Sequence, residues 1–175
     1  MLPIGTVLRG AYIVGRCLGA GGFGITYLGW HINLESMVAI KEFFPMGIVY
    51  RDTSRSDTAL SVSLSNSSLG QIYQKSLDGF IREARTLGKL RLPGVVMVYY
   101  CFEENHTAYI VMDYIQGQDL SCYLKQSGGR LEEAQVLSLI HPVVQSLEQL
   151  HGKGIIHRDI SPDNLLMSPD GNIRW

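Results

Sequence analysis

The sequence predicts an α+β fold, with strands dominating the first part of the chain and helices the last. Three short runs rich in β-branched and aromatic residues, Tyr12 to Leu18, Thr26 to His31 and Met37 to Phe43, follow one another with glycines and an Asn33-Leu34-Glu35-Ser36 turn between them, as in a meander. From Leu77 to Leu90 the period becomes helical, with Phe80, Ala84, Leu87 and Leu90 on one stripe. Two further strands, Val95 to Phe102 and Ala108 to Tyr114, flank the polar turn from Glu103 to Thr107.

After them the helical pattern takes over. Asp119 is placed to cap a short helix through Leu124 that Gly128 and Gly129 end. Glu132 to Leu150 reads as a long amphipathic helix with Val136, Ile140, Val143, Leu147 and Leu150 on one face, a kink expected at Pro142 and a stop at Gly152. Residues 47–78 are serine-rich and weakly periodic, an expected insertion in which Ala59 to Leu64 alternates well enough for one extra strand. The stretch from Ser168 to Trp175 reads as a turn and the first residues of a strand beginning at Ile173.

The 175 residues are enough for one domain with a sizeable core, and 46% hydrophobic with 18% charged residues is an ordinary globular composition. A net charge of -1 argues against nucleic acid or a membrane surface as the main partner. Cys17, Cys101 and Cys122 are an odd count with no metal-like spacing, each among apolar neighbours, so buried, reduced thiols in the cytoplasm are expected. Met1 to Gly5 lacks the basic start and apolar run of a secretory signal, and no apolar stretch approaches membrane-spanning length.

Chemistry concentrates in four places. The string His157-Arg158-Asp159-Ile160-Ser161-Pro162-Asp163-Asn164 sets a carboxylate and a carboxamide five residues apart on a short loop. In phosphoryl transfer that spacing lets an aspartate orient the attacking hydroxyl while an asparagine holds magnesium at the nucleotide phosphates. Gly19-Ala20-Gly21-Gly22-Phe23-Gly24 matches G-x-G-x-x-G, and the strand-like Ile25-Thr26-Tyr27-Leu28 behind it makes it a hairpin tip that can fold over phosphates, with backbone N–H groups close to them. Val38-Ala39-Ile40-Lys41 offers a small residue for an adenine and a lysine for the α- and β-phosphates. Glu83 falls on the helical stripe with Gly79 and Phe80 behind it and Thr86 and Leu87 ahead, so no cation lies at helical spacing to pair with it and Lys41 is its expected partner.

Together these motifs resemble the protein kinase family over nearly the whole chain, and GGFGITYLG with AIKEFFP resembles a bacterial serine/threonine subgroup. The resemblance implies a bilobal fold: an N-terminal extension over 1–10, a β-rich N-lobe with one regulatory helix over 11–115, and the first part of a helical C-lobe over 116–175. It implies Asp159, Lys41, Glu83 and Asn164 as catalytic residues and Asn164 as a magnesium ligand. It implies an ATP site built from Gly19, Gly21, Gly22, Gly24, Thr26, Ala39, Lys41, the gatekeeper Met112, the hinge from Asp113 to Ile115, Asp119 at the ribose and Leu166 beneath the adenine. Leu87, Val98 and His157 would supply most of a hydrophobic spine. A protein substrate is the implied partner.

Two departures bear on activity. Ser161 stands where serine/threonine kinases usually carry a lysine directed at the γ-phosphate, although Pro162 keeps the serine/threonine character. A complete domain carries Asp-Phe-Gly after the strand that begins at Ile173, so these residues are expected to be about two-thirds of a kinase domain, inactive and prone to association by themselves. The competing readings are a non-catalytic nucleotide-binding or scaffolding module, and a small-molecule phosphotransferase. Arg158, where the latter usually carry glycine, disfavours the last.

Overall fold

The computed structural model describes residues 1–51, 61–62, 67–157 and 159–175. They form two compact units, 1–89 with 97–114 and 90–96 with 115–175.

In the first unit, β1 (Val7–Leu8), β2 (Tyr12–Gly21), β3 (Gly24–His31), β4 (Ser36–Phe43), β7 (Val98–Glu104) and β8 (Thr107–Asp113) make one antiparallel sheet in the order β1-β2-β3-β4-β8-β7. Between β4 and β7 lie a small hairpin, β5 (Val49–Tyr50) with β6 (Ser61–Val62), and helix α1 (Ser67–Leu87). Alternation along the strands sends Tyr27, Val38, Ile40 and Val111 to one face, where they are buried with Val14 and Phe102. Leu2 and Leu8 join this core, so residues 1–10 are an integral part of the unit. The other face receives α1: Tyr73 and Leu77 pack on Phe43 and Ala108, and Ala84 packs on Val98 and Ile110.

The helix begins ten residues earlier than the Leu77 expected from periodicity. The stripe continues N-terminally through Tyr73, whose ring lies 5.5 Å from that of Phe43 and whose hydroxyl donates to the His106 carbonyl at 2.7 Å. Tertiary packing thus recruits residues whose serine-rich, glycine-containing start suggested a loop. Of the strand expected over 59–64, Ser61–Val62 pairs with β5; residues 59–60 and 63–64 lie outside the described residues. Val95 and Val96, expected to open β7, instead belong to the second unit, where Val96 N–H donates to Trp175 at 2.9 Å.

The second unit contains β9 (Gln118–Asp119), α2 (Leu120–Gln126), α3 (Glu133–His151), β10 (Leu166–Met167) and β11 (Ile173–Arg174), the three strands ordered β11-β10-β9. Glu132 and Gln135 form a capping box at the start of α3, which contains Pro142. On α3 the buried positions are Val143, Ser146 and Leu150, while the expected face residue Val136 is 40% exposed. Trp175 explains the buried serine, since its indole N–H donates to Ser146 Oγ at 3.1 Å. Trp175 also meets His157 edge-on at 4.8 Å. No helix among the described residues is long and apolar enough to cross a membrane.

Candidate active site

The strand register decides which side chains share a surface. Gly19 opposes Thr26, Thr26 opposes Lys41, and Lys41 opposes Ile110; one step along, Leu28 opposes Ala39, Ala39 opposes Met112, and Met112 opposes Val98. Directly opposed residues lie on one face, and so do residues two apart on a strand. Thr26, Ala39, Lys41 and Met112 therefore lie on one surface, as a purine and its phosphates require. The opposite face carries the core of Tyr27, Val38, Ile40 and Val111, while α1 covers Ile110 and Val98 on this one.

The glycine-rich segment is a tight hairpin, with Gly21 opposite Gly24 and Gly22-Phe23 at the turn. Two register shifts in β2, between Val14 and Cys17 and between Cys17 and Gly19, bend the strand before it reaches this tip. A Cβ at Gly19, Gly21 or Gly22 would meet nothing within 4 Å, whereas one at Gly24 would sit 2.6 Å from the Glu42 carbonyl oxygen. The first three leave the open approach a phosphate needs. Gly24 is there because β4 runs too close for any side chain.

Glu83 corrects the sequence reading. It is exposed and forms no ion pair with Lys41, which is half-buried. The buried stripe of α1 runs through Tyr73, Leu77 and Ala84, so Glu83 lies at its edge, where water solvates the carboxylate and no partner is required. Leu87 and Val98 belong to the cluster beneath this helix. At the end of β8, Asp113 N–H donates to Met97 O at 3.0 Å, and the Asp113 carboxylate accepts from Met97 N–H at 3.0 Å and from the Tyr99 hydroxyl. The segment leading to Ile115 is thus braced by side chain and backbone.

In the second unit, Asn164 donates from Nδ2 to both the Asp159 carbonyl at 3.0 Å and its Oδ2 at 2.9 Å. The turn Pro162–Asn164, closed by Asn164 N–H to Ser161 O at 3.0 Å, makes this possible. Both side chains are exposed, so a hydroxyl and a metal can reach them. Anchoring through Nδ2 leaves Asn164 Oδ1 as a hard oxygen donor beside a carboxylate, a set that suits magnesium. Arg158 lies outside the described residues.

Asp119 and Leu166, assigned to ribose and adenine, are cross-strand partners in the same unit. Asp119 also caps α2, accepting from Cys122 N–H at 2.7 Å, and that bond holds its carboxyl below the ordinary range. Cys122 is exposed in the first turn of the helix, contrary to the expected burial. Asp119→Ala should cost the second unit about 1 kcal/mol in urea denaturation at neutral pH. Because the folded-state pKa is depressed, the capping contribution is present above the unfolded value and fades as pH falls through the folded one, so the two proteins should converge in acid.

Sequence reasoning missed one constellation. Glu42, fully buried, accepts from Tyr27 Oη at 2.9 Å, Tyr109 Oη at 3.1 Å and Arg51 Nη2 at 2.5 Å. Burial, then the Glu42 charge, pushes both phenols up, so they remain donors. The available signal was phase: Glu42 alternates with Val38 and Ile40 and had to face the core.

Residues 12–175 match the family described as Protein kinase domain. Serine/threonine-protein kinase PrkC of Bacillus subtilis is 30% identical over 171 residues, an alignment covering 98% of this chain and 23% of that protein. Serine/threonine-protein kinase pkn2 of Myxococcus xanthus is 31% identical over 168 residues, covering 96% of this chain and 17% of that protein. A solved structure described as PpkA-294 apo form superposes with a TM-score of 0.88 at 30% identity, covering 99% of this chain and 60% of that one. The chain thus spans less than a quarter of the length of these two curated relatives.

Proposed function

We propose, from the premise that this chain belongs to the protein kinase family, that it takes part in moving the γ-phosphoryl group of ATP to serine or threonine hydroxyls of a protein. The observation that carries the reading is the bond from Asn164 Nδ2 to Asp159 Oδ2 at 2.9 Å, which presents a proton acceptor and a metal donor together. Asp159 orients the incoming hydroxyl and takes up its proton as the new P–O bond forms and the bond from the γ-phosphorus to the bridging oxygen breaks, with ADP as the leaving group. Asn164 would hold magnesium through Oδ1, and the ion would neutralise phosphate charge.

The face carrying Thr26, Ala39 and Met112 is suited to an adenine, Lys41 to the α- and β-phosphates, and Asp119 to a ribose hydroxyl. Pairing of Lys41 with Glu83 requires a swing of α1, a movement that separates active from inactive states in switching kinases. Ser161 favours a second reading, a nucleotide-binding module with little or no transfer, because a neutral hydroxyl supplies no charge to the γ-phosphate.

Incubation of the full protein with γ-labelled ATP, magnesium and a generic protein substrate, followed by phosphoamino-acid analysis, separates the two. Label on phosphoserine and phosphothreonine supports the first. Nucleotide binding without labelled product supports the second, and neither binding nor transfer contradicts both.

A further inference from the structure

The turn of the glycine-rich hairpin is not free at its tip. The Phe23 carbonyl accepts from Phe44 N–H and the Gly22 carbonyl from Met46 N–H, both at 3.1 Å, lacing the turn to the backbone that leaves β4. That backbone reverses at Pro45, whose carbonyl accepts from Ile48 N–H at 3.1 Å and Val49 N–H at 3.3 Å. What brings it back against the sheet is Arg51. Its guanidinium lies 5.7 Å over the Phe44 ring and 2.5 Å from Glu42 Oε1, with the two charged side chains 2% and 0% exposed. Glu42 is itself held by the Tyr27 and Tyr109 hydroxyls, so Arg51 docks on a seat that cannot turn.

A desolvated ion pair adds little stability over apolar residues of the same volume, because removing both charges from water costs as much as their attraction returns. Its directional bonds, however, specify where a segment sits. Here the specified segment, residues 44–46, supplies the N–H groups that grip the hairpin.

We propose that Arg51 is a positioning residue for the phosphate-covering hairpin: seated on buried Glu42, it holds residues 44–46 so that Phe44 and Met46 fix Phe23 and Gly22. Glu42 follows Lys41 along β4 and so points to the opposite face, and Arg51 is seated on it, so neither residue is assigned a contact with the nucleotide. The proposal rests on the nucleotide reading given above, and it places control of phosphate affinity in the segment that follows β4.

The test uses the full protein with Arg51→Met/Glu42→Gln, which removes both charges together, and Arg51→Lys as the conservative change. Amide hydrogen exchange at Phe44 and Met46 and the affinities for a fluorescent ATP analogue and for adenosine are measured. In the double variant, exchange at both amides should rise about tenfold while Cys101 and Ile110 in the β7–β8 ladder stay unchanged. Affinity for the ATP analogue should fall roughly fivefold and that for adenosine should hold, with Arg51→Lys between variant and parent. Unchanged exchange at Phe44 and Met46, a rise across the whole sheet, or equal weakening of both ligands overturns the proposal. Should the parent protein bind neither ligand, the nucleotide reading fails, and the exchange result alone decides whether Arg51 holds the hairpin. If the double variant does not fold, Arg51→Lys decides through the same exchange ratio.

Discussion

Asp159→Asn is expected to lower phosphoryl transfer by roughly two to four orders of magnitude while leaving nucleotide affinity nearly unchanged. The substitution removes the proton acceptor and little else. An amide oxygen at position 159 can still accept from Asn164 Nδ2, whose second bond goes to the main-chain carbonyl of the same residue, so the turn at Pro162–Asn164 keeps its shape. The side chain is exposed, which removes any packing explanation for a rate loss. Single-turnover transfer and equilibrium binding of a nonhydrolysable ATP analogue, measured on the same preparations, separate chemistry from affinity. Undiminished turnover would take Asp159 out of the mechanism.

Lys41→Met should have a comparable effect with a different signature. Methionine keeps an apolar stem in the row between Thr26 and Ile110, so the sheet should be preserved and the far-UV circular dichroism unchanged. On the proposed reading the variant loses a cation at the α- and β-phosphates, where its interaction would strengthen as charge redistributes during transfer, and removal of one such group costs about two to three orders in kcat. The KM for ATP should rise as well, because the proposed contact would also act on the ground state. A variant with wild-type KM and kcat would show that the cation on this face has no part in the reaction.

Local pattern made much of this molecule legible. Runs of β-branched and aromatic residues through Tyr12 to Leu18, Thr26 to His31 and Met37 to Phe43, set off by glycines and a turn, located three strands, and residues two apart on a strand, as Ala39 and Lys41 are, share a face. The cap at Asp119 and the Asp159–Asn164 spacing were equally readable, since each is a contact within six residues. The misses share a cause. The early start of α1 depends on Tyr73 reaching Phe43 and His106, contacts about 30 residues apart in sequence that no local window contains.

Glu83 was misplaced by a related route. Counting it on the stripe with Ala84 ignored that a helix turns about 100° per residue, enough to move a carboxylate from the core to the rim. The pairing of Arg51 with Glu42 lay hidden for a further reason. Glu42 announced itself by phase, but its partner is brought back by a reversal at Pro45 that no periodicity describes.

The most direct test of the proposed nucleotide site is chemical labelling with an acyl-phosphate derivative of ATP, whose carbonyl is attacked by a lysine amine lying beside the phosphates, releasing the nucleotide and leaving an amide. Peptide mapping after brief exposure should find Lys41 modified ahead of Lys75, Lys89, Lys125 and Lys153, with excess ATP and magnesium suppressing the label and Lys41→Met abolishing it. Modification spread over the other lysines with Lys41 spared, or a Lys41 label indifferent to ATP, would contradict the placement of a nucleotide's phosphates on this face of the sheet.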